Sequence, residues 1–395
     1  MIKFIIKMAI SIKKFELLYF YITFHSQMFD WLKTDVAPLK TAEPLNNHHL
    51  LSYYLFIRHG ARVPVVAWPN YPQIDWMSLI GASYSESVPR RRPIVNGQKI
   101  DLSKSPLFGR LIDSGVKQEE DLGELYRHYL VDQQKLLPEK FDPTLIRVRS
   151  SYAARCIESG TCLLDKMYPP ESPNEELIIE TGERGTEALV PHPELNDYFR
   201  SRAKEFMQTP EFIKRRDEIP SVIKQMFSAK DIDFLMAGDF IHCLKFNGFE
   251  IPQLVKDTPG LYEQMMSNLA FYSTGFINSV GRPAYGPALD LLSEAIHNFL
   301  NKKDQYRFTL FSGHDCSIAA ILVSLGICEL QTVPPYASHL AIELWQPNSD
   351  SGDSIMNSDN LILRFVLNGQ VLKLNGKETT SLKWFMKEIA LKPID

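Results

Sequence analysis

A histidine flanked by two arginines is the feature of this sequence best suited to chemistry. Residues 58–64 (RHGARVP) directly follow the apolar run 53–57 (YYLFI), which predicts a strand. A neutral imidazole nitrogen can attack phosphorus, and a guanidinium stays charged at any working pH and offers a planar fork of donors to phosphate oxygens. The segment is therefore consistent with a nucleophile inside a phosphate-binding loop. A simple turn with a hydrogen-bonded histidine is the alternative, so residues elsewhere must decide.

Two later segments also place reactive residues just after predicted strands. Residues 149–155 (RSSYAAR) follow the short strand 145–148, and residues 312–315 (SGHD) follow the strand 308–311. Because ligands of open α/β sheets bind at the carboxyl ends of strands, we expect the three segments to converge despite their separation in sequence.

These motifs resemble the histidine acid phosphatase family, which is marked by Arg-His-Gly-x-Arg-x-Pro near the start and His-Asp near the end. The resemblance extends over about residues 53–369. Within the family the sequence most resembles the lysophosphatidic acid phosphatase subgroup, which has similar residues at 141–143, 158–164 and 325–327.

The resemblance implies a role for each motif residue. His59 would be the nucleophile that becomes phosphohistidine, and Asp315 would protonate the leaving oxygen. Four residues would hold the phosphoryl oxygens: Arg58, Arg62, Arg155 and His314. Neither a metal nor another cofactor is implied. Since the arginines disfavour protonation of His59 while Asp315 must carry a proton, we predict an acidic optimum.

The function predicted from these residues is a metal-independent acid phosphomonoesterase. By resemblance, its substrate would be a lysophospholipid, lysophosphatidic acid, cleaved to monoacylglycerol and phosphate. The alternative is a broad-specificity acid phosphatase of the secretory or lysosomal pathway. A catalytically silent scaffold with this fold is a third interpretation, and the presence of both His59 and Asp315 argues against it.

Composition limits the classes of partner. With 43 basic and 47 acidic residues the formal charge is −4, which argues against a general nucleic-acid binder. The expected partner is a small-molecule phosphate monoester. The 5 cysteines include no Cys-x-x-Cys pair, so a zinc ribbon is not indicated. Motifs of serine hydrolases, P-loop proteins and zincins are absent from the sequence.

Strand and helix patterns alternate along the chain and predict an α/β fold with three layers, a mainly parallel sheet and helices on both faces. Further strands are predicted at 339–345 and 361–367. Helices are predicted at 114–131, 156–167 and 316–325. We assign residues 50–168 and 284–395 to the phosphatase core, and residues 169–283 to a mostly helical cap insertion. Residues 68–108 are expected to form a long loop, in which Arg90, Arg91 and Arg92 are solvated. Contact with the substrate is the alternative for these arginines.

Residues 1–35 are expected to be a targeting or anchor segment, because four lysines punctuate apolar residues before the first acid at Glu16. The apolar stretch 17–24 is shorter than the roughly 20 residues of a membrane span. Resemblance to the subgroup implies a mitochondrial location. Membrane anchoring through this segment and entry into the secretory pathway are the alternatives.

Overall fold

The computed structural model describes residues 34–66, 74–80, 90–172, 174–191, 197–219, 233–327, 333–348 and 360–390. Nearly all of the predicted targeting segment, residues 1–35, lies outside these ranges. Within them, no helix has both the length and the apolar character needed to cross a bilayer.

A central sheet forms the middle of the molecule. Its strands in the described ranges are β1 (His48–Arg58), β4 (Ile146–Ser150), β6 (Phe308–Gly313), β7 (His339–Pro347), β8 (Ile362–Leu367), β9 (Gln370–Val371) and β10 (Thr380–Ser381). The order is β10-β8-β7-β1-β6-β4, with β9 paired to β8. Strands β1, β6 and β4 are parallel, whereas β7 to β10 add antiparallel pairs. A second sheet contains β2 (Arg92–Val95), β3 (Gln98–Lys99) and β5 (Glu176–Ile179).

Helices cover both faces of the central sheet. Those described are α1 (Asp113–Tyr126), α2 (Ala154–Met167), α3 (Asp197–Met207), α4 (Pro210–Glu218), α5 (Asp233–Phe246), α6 (Gln253–Asp257), α7 (Leu261–Val280), α8 (Arg282–Leu300), α9 (Asp315–Ser324) and α10 (Leu382–Phe385). Side chains of β1 alternate between two hydrophobic clusters. Tyr53, Leu55 and Ile57 pack with α1 and α2, whereas Tyr54 and Phe56 pack with α7, α8 and α9. The predicted α/β fold with helices on both faces is confirmed.

The chain between residues 169 and 283 is rich in helix where the structure describes it. It contains α3 to α7, and it also contains strand β5, which pairs in parallel with β2. Helix α7 packs against α9 of the central core. The assignment of this segment as a cap insertion stays a prediction.

The expected loop at residues 68–108 contains more structure than the sequence suggested. Residues 67–73 and 81–89 lie outside the described ranges, and the remainder forms two 3₁₀ turns besides β2 and β3. The expectation of solvated arginines is wrong for Arg90 and Arg91. Arg90 pairs with Glu120 at 2.8 Å, and the buried Arg91 pairs with Asp165 at 2.8 Å. Their acidic partners lie on α1 and α2, so burial follows from packing that local sequence does not reveal.

A buried ion pair joins neighbouring strands at some distance from the motif residues. The Nε group of Arg364 on β8 donates to Glu343 on β7 at 2.6 Å, and the indole of Trp345 donates to the same carboxyl at 2.9 Å. Burial raises the pKa of the Glu343 carboxyl, and the Arg364 charge opposes that shift.

Replacing Glu343 with glutamine will lower the free energy of unfolding by about 3 kcal/mol, because it leaves the Arg364 charge buried without its counter-ion. Chemical denaturation measures the loss. The double variant E343L/R364M removes both charges and should lose much less. If it were as unstable as the single variant, lost packing rather than an unpaired charge would be the cause.

Candidate active site

The three motif segments meet at the carboxyl ends of the parallel strands. Arg58 at the end of β1 is in register with Gly313 at the end of β6. The amide of His59 donates to the carbonyl of Gly313 at 3.0 Å, and the amide of Ser151 donates to the carbonyl of Ser312 at 2.9 Å. The convergence expected from the sequence is present in the structure.

The loop after β1 packs closely against the first turn of α1. A Cβ atom on Gly60 would lie 2.3 Å from the carbonyl oxygen of Gly115, so a larger residue does not fit there. The amide of Gly60 donates to Ser159 at 3.3 Å, and the amide of Ala61 donates to Gln118 at 2.9 Å. These contacts hold the loop, and with it the histidine, in one position.

His59 is 2% exposed and lies with its Nδ1 atom 2.8 Å from the carbonyl oxygen of Gly60. A carbonyl only accepts, so Nδ1 carries the proton and Nε2 keeps its lone pair. Burial lowers the pKa of His59 well below its usual value, and the charges of Arg155, Arg62 and Arg58 lower it further. The ring is therefore neutral in mildly acidic solution and can act as a nucleophile.

Arg58 connects the first motif to the last. Its Nη2 group lies 3.1 Å from the carboxylate of Asp315, and its Nη1 group donates to the carbonyl of Pro334 at 2.5 Å. The guanidinium also lies over the ring of Tyr336, 4.5 Å from the ring centroid. Asp315 keeps 27% of its side-chain surface exposed, so its carboxyl is accessible from the solvent side.

Arg155 and His314 lie together beside His59. Nη2 of Arg155 is 3.2 Å from Nδ1 of His314, and Nε2 of His314 is 2.9 Å from the hydroxyl of Ser151. Because an arginine only donates, Nδ1 is the acceptor and Nε2 carries the proton. The rings of His314 and His59 meet edge to face with their centroids 5.5 Å apart.

Arg62 is held by a residue that the sequence analysis missed. Its Nη2 and Nη1 groups donate to the two carboxylate oxygens of Asp239 on α5 at 2.8 and 3.1 Å. The Nε–H groups of Arg58, Arg62 and Arg155 are buried without a hydrogen-bond partner. Three donors around His59 are thus available to an anion, as phosphate binding requires.

The structure therefore brings together all six residues predicted for the site and adds Asp239, Ser151 and Tyr336. One signal in the sequence could have pointed to Asp239, because it is the single acid in the otherwise mostly apolar run 234–244. Arg149 pairs with the buried Glu187 at 2.8 Å. In the described ranges, no group of three or more candidate ligands is arranged to hold a metal ion.

A cavity of about 390 Å³ lies next to the loop that carries Arg62. Its wall includes Ile112, whose amide donates to the carbonyl of Ala61 at 3.1 Å. Its remaining lining residues are Ser78, Leu79, Asp113, Ser114, Phe246 and Asn247. Polar and apolar groups both line it, so it suits an amphipathic or hydroxyl-bearing group.

Comparison with known proteins identifies the family. The sequence profile of the histidine phosphatase superfamily (branch 2) matches residues 50–368. The chain belongs to this superfamily. It is a phosphoric monoester hydrolase with the histidine phosphatase fold.

The relatives of this chain are distant in sequence, but the alignments cover most of their length. Lysophosphatidic acid phosphatase type 6 of Mus musculus is 24% identical over 314 residues, covering 73% of this chain and 73% of that protein. For 2-phosphoxylose phosphatase 1 of Rattus norvegicus the identity is 25% over 339 residues, covering 76% and 68%. The structure of Hafnia alvei phytase in complex with myo-inositol hexakis sulphate superposes with a TM-score of 0.60 at 13% identity, covering 89% of this chain and 99% of that one.

Proposed function

We propose that this histidine phosphatase works through a phosphohistidine intermediate on His59. Nε2 of His59 attacks the phosphorus of a phosphate monoester, and the bond from phosphorus to the ester oxygen breaks. Asp315 gives its proton to the departing oxygen. Its carboxylate then takes a proton from a water molecule, which attacks the phosphohistidine and releases inorganic phosphate. The observation that carries this proposal is the convergence of the neutral, buried His59 with three arginines and Asp315.

The arginines supply most of the binding and charge stabilisation in this proposal. A guanidinium about 4 Å from a phosphate charge contributes on the order of 4 kcal/mol at an effective dielectric of 20. The unpartnered Nε–H groups of Arg58, Arg62 and Arg155 are donors for the phosphoryl oxygens. The proton on Nε2 of His314 points to Ser151 in the free protein. His314 would either donate to the phosphoryl group by turning or hold Arg155 in place.

The substrate we propose is lysophosphatidic acid, which would give monoacylglycerol and phosphate. Two lines of argument support it: the relatives named lysophosphatidic acid phosphatase type 6, and a cavity whose wall combines the apolar Leu79, Ile112 and Phe246 with polar groups. The sugar phosphate named in the relative 2-phosphoxylose phosphatase 1 makes a broader specificity the second candidate.

A panel assay tests the substrate. Initial rates on lysophosphatidate, glycerol phosphate, a phosphotyrosine peptide and inositol phosphates will be highest for lysophosphatidate, and a chelator will leave them unchanged. A preference for the small water-soluble esters would favour the broad acid phosphatase instead. Loss of all rates in the chelator would contradict the metal-independent mechanism.

A further inference from the structure

Asp239 lies in the site but has no part in the mechanism above. It sits on α5, it is 7% exposed, and both of its oxygens accept hydrogen bonds from Arg62. Burial opposes ionisation of its carboxyl, but the charge and hydrogen bonds of Arg62 and the charges of His242 and Arg58 together outweigh burial and hold the pKa of Asp239 below its usual value. A negative charge is thus present where a phosphate anion must bind.

The contacts of Arg62 show how the negative charge of Asp239 affects the phosphate site. Asp239 occupies both terminal nitrogens of the guanidinium, whereas the Nε–H group remains without a partner. An arriving phosphate therefore meets an arginine whose charge is already balanced by a carboxylate. The Asp239 carboxylate also interacts electrostatically with Arg155 and with Arg58. Its charge is therefore close to all three arginines of the site.

We propose that Asp239 is a positioning residue that competes with phosphate for the charge of Arg62, and thereby weakens phosphate binding and allows the product to leave. The proposal rests on the phosphate site described above. Inorganic phosphate carries the same group that the arginines hold in the substrate, so a site in which Arg62 lacked its counter-ion would retain its product more strongly. The carboxylate on α5 lowers that retention while keeping Arg62 in place.

The variant D239N keeps the shape of the side chain and removes its charge. Its inhibition constant for inorganic phosphate, measured with p-nitrophenyl phosphate as substrate, will fall about tenfold, and KM will fall with it. An unchanged inhibition constant would overturn the proposal. So would a raised one, since it would mean that Asp239 serves only to orient Arg62.

The variant D239S answers the same question if D239N does not fold. Its short neutral side chain takes the carboxylate away from both terminal nitrogens of Arg62. Phosphate binding measured by calorimetry at pH 7 will be several-fold tighter in D239S than in the wild type. Equal or weaker binding would overturn the proposal, because the carboxylate would then not draw the charge of Arg62 away from phosphate.

E343Q is the matched control, since it also neutralises a buried carboxylate that is paired with an arginine. Glu343 is in register with Tyr53 on β1, five residues before Arg58, or roughly 16 Å along the strand. Its inhibition constant for phosphate will equal that of the wild type. If the wild-type protein does not bind phosphate, the assignment of the site itself is contradicted. If the wild type binds phosphate and D239N has the same inhibition constant, only the role of Asp239 is contradicted.

Discussion

Replacing His59 with alanine will abolish transfer of labelled phosphate to the protein and lower turnover by at least about 10⁴-fold. In the proposed mechanism the Nε2 lone pair of His59 attacks phosphorus, and no other side chain is assigned this role. Rapid acid-free quenching after mixing with a labelled monoester measures the phosphoenzyme. Binding of inorganic phosphate should survive, because the arginines that hold it remain.

A suitable control for H59A is H128A. His128 is 63% exposed and lies on the surface beside Asp132. H128A should therefore show the same labelling and turnover as the wild type. If H59A still accepts the label, another residue is the nucleophile. If H59A also loses phosphate binding, the loop after β1 has rearranged, and the variant says nothing about attack.

The low pKa of His59 determines how the wild-type enzyme behaves in acid. Because burial and the three arginines hold that pKa well below 6.5, the ring stays neutral as the pH falls through the range where an ordinary histidine becomes charged. Turnover should therefore persist in mildly acidic solution. A rate profile that fell off near pH 6.5 on the acidic side would mean that His59 is not shielded in this way.

The residues that attack phosphorus and bind its oxygens could be predicted from the sequence, because few side-chain types can do this chemistry. Attack on phosphorus needs an imidazole beside permanent cations, and His59, Arg62 and Asp315 follow or precede clear apolar runs, so their positions on strand ends could be inferred. The strand pairing then brought them together, because β1 and β6 are parallel neighbours.

Residues whose role depends on packing could not be found in this way. Asp239 is 177 residues from Arg62 in sequence, and only the fold shows that α5 delivers it to the phosphate site. Arg91 was expected in solvent for the same reason, since its partner Asp165 lies 74 residues further on. A run of arginines is exposed to solvent only where no helix face that carries acidic residues packs against it.

Replacing Asp315 with asparagine will separate proton donation from phosphate binding. In the free protein Asp315 pairs with Arg58 at 3.1 Å and keeps 27% of its side-chain surface exposed. Its carboxyl therefore lies beside the phosphate site and is open to the departing oxygen of the substrate.

D315N has no acidic proton to give, so kcat/KM for an alkyl phosphate will fall by about 10²- to 10⁴-fold. This ratio covers only the steps up to departure of the alcohol, so the later role of the Asp315 carboxylate in activating water does not enter it. With p-nitrophenyl phosphate the loss in kcat/KM will be far smaller, because nitrophenolate leaves without being protonated. The control D257N alters an exposed carboxyl on α6 and keeps wild-type rates on both esters. Equal losses in kcat/KM on the two esters would contradict the acid role, because a residue needed only for binding affects both alike.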